Sequence, residues 1–132
     1  MAHPNEVFVR ELYAAMDRGD GRALAKALLP DTRWVIAGGG ALAGTHVGPD
    51  AIFTFWRRMA EETAGGLRLA VRDVLANDDR AVALVDVTGV RGDRTFTSSQ
   101  VVVFEIDGRQ VREARFIHED QAAYDAFMAT GG

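Results

Sequence analysis

Apolar positions in the first third of the chain recur at helical spacing. Phe8, Leu12 and Ala15 share one face, with Val9, Tyr13 and Met16 beside it and Asn5 placed to cap the segment. Gly19 supplies a left-handed stop, and Asp20 can cap a second short helix that ends before Pro30. Residues 32–37 read as a strand. Gly48-Pro49-Asp50 opens a third helix, because proline suits a first helical turn. Ile52, Phe55, Trp56 and Met59 make its apolar stripe, and Gly65-Gly66 its end.

The period then changes to two. Leu67, Leu69 and Val71 alternate with Arg68, Ala70 and Arg72, as in a strand. A turn at 76–79 leads to the β-branched run 81–90, and Arg91-Gly92-Asp93 turns into a long strand over 95–106. Asp107-Gly108 is a tight hairpin signal before a last strand at 110–117, and Asp120 begins a short helix over 121–129. No repeat or low-complexity segment interrupts this order. Three helices followed by a meander predict a single α+β domain over residues 1–132. Its expected form is a cone-shaped barrel, with three N-terminal helices on a curved, mostly antiparallel sheet and a short C-terminal helix. A sheet curled around the third helix leaves a cavity lined by strand residues of one parity, and a function would sit there.

Composition narrows the class. The 132 residues are 48% apolar and 26% charged, with no cysteine, which excludes disulfide scaffolds and thiolate zinc sites. All but one of the 15 basic residues are arginine, Lys26 being the exception, and they are scattered among 19 acids. With a pI of about 5.3, this argues against a nucleic-acid partner. The N-terminus has no secretion-signal pattern and no apolar run approaches the ~20 residues that span a bilayer, so a cytoplasmic, non-membrane protein is expected.

Strand parity selects the candidate chemistry. With Glu105 facing water, Phe96, Ser98, Gln100, Val102, Phe104 and Ile106 point inward. Asp86 is the single acid in a nine-residue apolar stretch: either it serves the cavity, or it faces solvent and pairs with an arginine such as Arg72. Phe116, His118 and Asp120 share a parity where the last strand meets its helix. A histidine beside a carboxylate is a common acid–base arrangement, while Asp120 is equally suited to cap the helix. His46 lies in an expected loop near the cavity mouth. Trp34 and Trp56 read as core or as ligand platforms. The three histidines are too dispersed for a metal signature.

Several local patterns carry a resemblance: Leu12-Tyr13-Ala14-Ala15-Met16 through Gly19-Asp20, the stretch Ala43-Gly44-Thr45-His46-Val47-Gly48-Pro49-Asp50-Ala51-Ile52, and Asp107-Gly108-Arg109 leading to Asp120-Gln121-Ala122-Ala123. Together they resemble the nuclear transport factor 2-like, ketosteroid-isomerase-like superfamily, and more narrowly its SnoaL-like polyketide cyclase group. The steroid-isomerase constellation is missing. Ile36 or Ala37 stands in the place of its base, Leu12 (with Tyr13 one position off) in that of its tyrosine, and Val102 near its protonated acid. Asp86 and Asp120 match the two aspartates of limonene-type epoxide hydrolases, but Leu84 replaces the bridging arginine and Gly38–Gly40 the water-holding pair.

The SnoaL-type resemblance implies a cofactor-independent cyclase, dehydratase or isomerase acting on a bulky apolar carbonyl substrate. Asp120, His118 and Asp86 would be catalytic, and Tyr13, Trp34, His46, Trp56, Gln100 and Phe116 would contact substrate. A non-catalytic small-molecule binding protein is the alternative, with an epoxide-hydrolase-like enzyme behind it. The uncharged outward set Thr97, Ser99, Val101 and Val103 further suggests a homodimer through the outer sheet face.

Overall fold

In the computed structural model, which describes residues 2–40, 42–64 and 66–129, the long alternating runs form the centre of a six-stranded sheet. Strands β4 (Arg80–Arg91) and β5 (Arg94–Asp107) pair antiparallel along their whole length. Their burial alternates residue by residue: Ala83, Val85 and Val87 are enclosed, as are Gln100, Val102 and Phe104, while the positions between are half-buried. Strand β6 (Gln110–His118) pairs with β5, and β3 (Arg68–Ala76) with β4.

Strand β1 (Leu28–Ile36) then pairs parallel to β6, and antiparallel to β2 (Gly44–Val47). The order β2-β1-β6-β5-β4-β3 is therefore mixed and unclosed. Irregularities between Val71 and Asp73, and between Glu105 and Ile106, break the register, as β-bulges do, and such breaks sharpen local twist and help the sheet curl. At the edge, β3 buries only Val74, and its charged Arg68, Arg72 and Asp73 discourage further strand pairing.

Two elements differ from the sequence expectation. The segment at 44–47 is a strand, where a loop was expected. It pairs with β1 after the chain reverses through Gly38 and Gly44, both at positive φ. Residue His3, rather than Asn5, caps helix α1 (Pro4–Arg18), with Nδ1 accepting from the Asn5 backbone N–H at 3.0 Å. The Asn5 side chain instead donates to the carbonyls of Asn77 and Asp78, fixing the start of α1 to the β3–β4 turn.

Helix α2 (Gly21–Lys26) starts at Asp20, whose Oδ1 accepts from Ala23 N–H at 3.1 Å. Helix α3 (Pro49–Glu62) opens on Gly48-Pro49 and buries Ile52 and Phe55. Gly65, expected to help end it, lies outside the described residues. Helices α1 and α3 cover the concave face of the sheet from opposite sides. Between them Trp34, at 1% exposure, meets Trp56 edge-on at 5.3 Å and Phe116 at 5.0 Å.

Helix α4 (Gln121–Met128) crosses the wide end of the cone. Its Phe127 stacks on Phe96 at 5.4 Å and lies so close to Gly89 that an added Cβ there would sit 2.7 Å from the ring. Arg91 and Arg94 donate to the carbonyls of Phe127 and Ala129, and Arg91 also pairs with Glu62 at 2.6 Å. The last turn of α4 is thus tied to the β4–β5 hairpin and the end of α3. Such bonds satisfy carbonyls that a helix end leaves open.

Candidate active site

The curl of the sheet leaves a cavity of about 470 Å³ between α1, α3 and the wide ends of the strands. Its floor is aromatic and aliphatic: Trp34 and Ile36 from β1, Phe116 from β6, Val87 from β4 and Leu24 from α2. Helix α3 contributes Phe53, Trp56 and Met59, and α1 contributes Tyr13 and Met16. Gly19, Gly21, Leu67, Leu69 and the exposed Arg57 surround the mouth. A concave apolar space with a few polar groups is the usual form of a small-molecule site.

Neutral polar groups stand on this wall. Gln100 and His118 are register partners across β5 and β6, so both side chains project side by side from the concave face. His118, 7% exposed, stacks face to face on Tyr124 of α4 at 3.8 Å, with Phe96 edge-on at 6.3 Å. Its Nδ1 is buried without a hydrogen-bond partner. Desolvation pushes the imidazole pKa down to about 4, only partly opposed by the negative charge of Asp125, so the ring is neutral at physiological pH. Tyr13 is another such group: its buried hydroxyl also lacks a partner, and burial raises its pKa well above the ordinary phenol value. A buried O–H left unpaired costs about 1–3 kcal/mol, and a ligand acceptor would relieve that cost.

Five of the six expected substrate contacts are at the cavity. Trp34, Trp56, Phe116, Gln100 and Tyr13 all line the cavity. His46 does not. It sits on β2 with Nε2 bonded to the Leu42 carbonyl at 2.9 Å and its ring against Phe55 at 4.8 Å. It borders a separate hollow of about 280 Å³ with Asp50, Thr54 and Arg58.

The two carboxylates expected at the site are elsewhere. Asp86 lies on the outer face, opposite Ser99, and accepts from Arg72 at 3.2 Å. No irregularity interrupts the β4–β5 register, so parity holds and sends Asp86 outward while Val85 and Val87 go in. Asp120 is exposed and caps α4, with Oδ1 accepting from Ala123 N–H at 2.9 Å. Strand alternation stops at His118, where β6 ends and the chain bends, so the parity shared by Phe116 and His118 does not carry on to Asp120. Among the described residues no aspartate or glutamate lines the cavity. Among the described residues no group of three or more His, Asp or Glu side chains could hold a metal ion, and no helix is long and apolar enough to cross a membrane.

Sequence reasoning missed Tyr124 and Arg57. Tyr124, Phe127 and Met128 fall at three- and four-residue spacing on α4, a signal that its apolar face closes the cone. Burial of Tyr124 pushes its phenol pKa up to about 12, so it too stays neutral.

Four helices on a curved, unclosed six-stranded sheet, with a cavity at the wide end, define the nuclear transport factor 2-like α+β cone. Within that class the chain belongs to the SnoaL-like domain family, whose model matches residues 9–114. The structure is similar to that of Bal32a from a soil-derived mobile gene cassette, at 31% identity and a TM-score of 0.90, covering 94% of this chain and 95% of that one. It is also similar to a nuclear transport factor 2-like protein of unknown function from Burkholderia pseudomallei K96243, at 27% identity and TM-score 0.86, covering 96% and 98%. A putative SnoaL-like polyketide cyclase from Jannaschia sp. CCS1 shares the fold, at 18% identity and TM-score 0.77, covering 100% and 99%. No curated protein matches the sequence.

Proposed function

We propose that the protein is a cofactor-independent enzyme of the cyclase, dehydratase or isomerase type. It would bind a flat, bulky, apolar carbonyl compound and move a proton next to that carbonyl. The single observation that carries this reading is the pairing of His118 with Gln100 on an otherwise apolar, acid-free cavity wall. His118 is the proton acceptor, being neutral and desolvated. Its low basicity is no obstacle, since ketosteroid isomerase works with a base of pKa about 4.6 when donors stabilise the enolate. Gln100 and Tyr13 supply those donors without charge. Asp86 and Asp120 take no part, which sets aside the two-aspartate epoxide hydrolase mechanism.

The test is solvent exchange. Incubation with flat apolar ketones in deuterated water, 2-tetralone first, is expected to load deuterium at the α-carbon, read by mass spectrometry. His118→Gln lowers the rate by about 100-fold or more while ligand binding, followed by Trp34 and Trp56 fluorescence, stays within a few-fold. The second reading is a binding protein without chemistry, favoured by the absence of any carboxylate from the lining residues. Tight ligand binding with no exchange above the buffer rate would establish it and reject the first.

The outer face supports a second copy of the chain as partner. Leu84, Val101 and Ile117 align across β4, β5 and β6, and Leu75, Val82 and Val103 across β3, β4 and β5, with Leu75 and Ile117 exposed. Light scattering at micromolar concentration would report a dimer, and a monomer there would overturn this assignment.

A further inference from the structure

We propose that the cavity selects ligands bearing an anionic, carboxylate-type group at the end remote from the reacting carbonyl, and that Arg57 is the residue that selects them. This names the substrate class for the site described above and rests on reading that cavity as a small-molecule site.

Among the described residues Arg57 is the only one lining the cavity that carries a full charge at neutral pH. It projects from α3 at the mouth and is exposed. Among the described residues it forms no ion pair and no hydrogen bond. Two other arginines, outside the lining, are already paired: Arg18, at the end of α1, with Asp20 at 3.1 Å, and Arg91 with Glu62 at 2.6 Å. The unpaired charge of Arg57 therefore borders the cavity where its lining is exposed to solvent. Gly19 and Gly21, also in the lining, add no side chain there, and a Cβ built at Gly19 meets no atom within 4 Å.

The apolar wall behind the mouth concentrates the field of that guanidinium toward the opening. A ligand whose apolar body fills the cavity and whose carboxylate stays at the rim keeps its charge in water and avoids the cost of burying it. The same carboxylate further in would meet Gln100, His118, Tyr13 and Tyr124, all neutral. A cationic ligand would be repelled at the mouth, and a neutral one gains nothing there. The polarity of binding that follows is carbonyl at the Gln100–His118 pair and anion at Arg57.

A matched pair of probes tests this, anthracene-9-carboxylate and the neutral 9-anthracenemethanol, each titrated while the fluorescence of Trp34 and Trp56 is followed. The carboxylate is expected to bind about fivefold more tightly at low salt. Arg57→Gln removes that preference, Arg57→Lys keeps most of it, and 0.5 M salt reduces it, as for any exposed charge pair. An unchanged ratio in Arg57→Gln, or equal binding of the two probes to the unaltered protein, overturns the proposal. The two readings fail separately. Loss of deuterium exchange in the unaltered protein with the ratio intact rejects the enzyme and leaves Arg57 as the selector of a binding protein. Loss of the ratio with exchange intact rejects Arg57 alone. If neither probe perturbs the tryptophans, the cavity is not the site and both readings fall.

Discussion

The two faces of β4, β5 and β6 carry polar groups one residue apart and use them in opposite ways. On the outer face Asp86 pairs with Arg72, Arg80 with Glu105, and Glu113 stands between Arg33 and Arg115. On the concave face Gln100 and His118 are uncharged and without a salt bridge. Water decides the difference. An outer ion pair is solvated, screened and worth little, whereas a polar group on the inner wall is desolvated and held in its neutral form. Chemistry that needs an uncharged base and uncharged donors therefore belongs to the inner wall.

Exchanging the character of two adjacent positions would break this contrast most severely. Val85, 1% exposed, faces the core, and Asp86 beside it faces out. Val85→Asp places an unpaired carboxylate among Val71, Gln100 and their neighbours, and is expected to cost about 3–5 kcal/mol in urea unfolding. Asp86→Val is expected to stay within about 1 kcal/mol, because it removes only an exposed pair. Comparable losses from the two variants would mean that the faces are not distinct environments.

Acid sharpens the same contrast at His118. Its folded-state pKa is about 4 against an ordinary value of 6.5, so the unfolded chain takes up a proton before the folded protein does. Stability is then unaffected by this group above pH 6.5 and falls as the pH drops from 6.5 toward 4. Between pH 7 and pH 5 the loss assigned to His118 is about 2 kcal/mol, read as the difference between the unaltered protein and His118→Gln in urea unfolding at each pH. Subtracting the variant removes the contribution of surface carboxylates. Parallel pH profiles for the two proteins would contradict a desolvated imidazole.

Legibility in the sequence follows the same division. Where one face is buried and the other wet, alternation is strict, and the inward positions of β5 were readable from Glu105 alone. The cavity contacts Trp34, Trp56, Gln100 and Phe116 follow from that periodicity with the helical stripe of α3. The four-residue β2 was not readable, since its burial pattern has no alternation and its pairing with β1 is settled by tertiary contact. Nor was the direction of Asp120, because parity arguments end where a strand ends. The parallel β1–β6 pairing depends on how the meander returns, which no local spacing encodes.

The smallest effect concerns Asp120, where a helix cap and a catalytic acid make different demands. A cap needs only a side-chain oxygen that accepts from Ala123 N–H, and asparagine provides one. Asp120→Asn should therefore change stability by no more than a few tenths of a kcal/mol, while Asp120→Ala, which leaves that N–H without its partner, should cost about 1 kcal/mol. A proton-transferring carboxylate would show no such ranking in activity, because asparagine and alanine abolish it alike. Deuterium exchange that persists unchanged in Asp120→Asn assigns the residue to α4 and leaves the chemistry to His118. A loss of about 100-fold in that variant, with stability intact, would return the carboxylate to the site through a bend of the segment between His118 and Gln121.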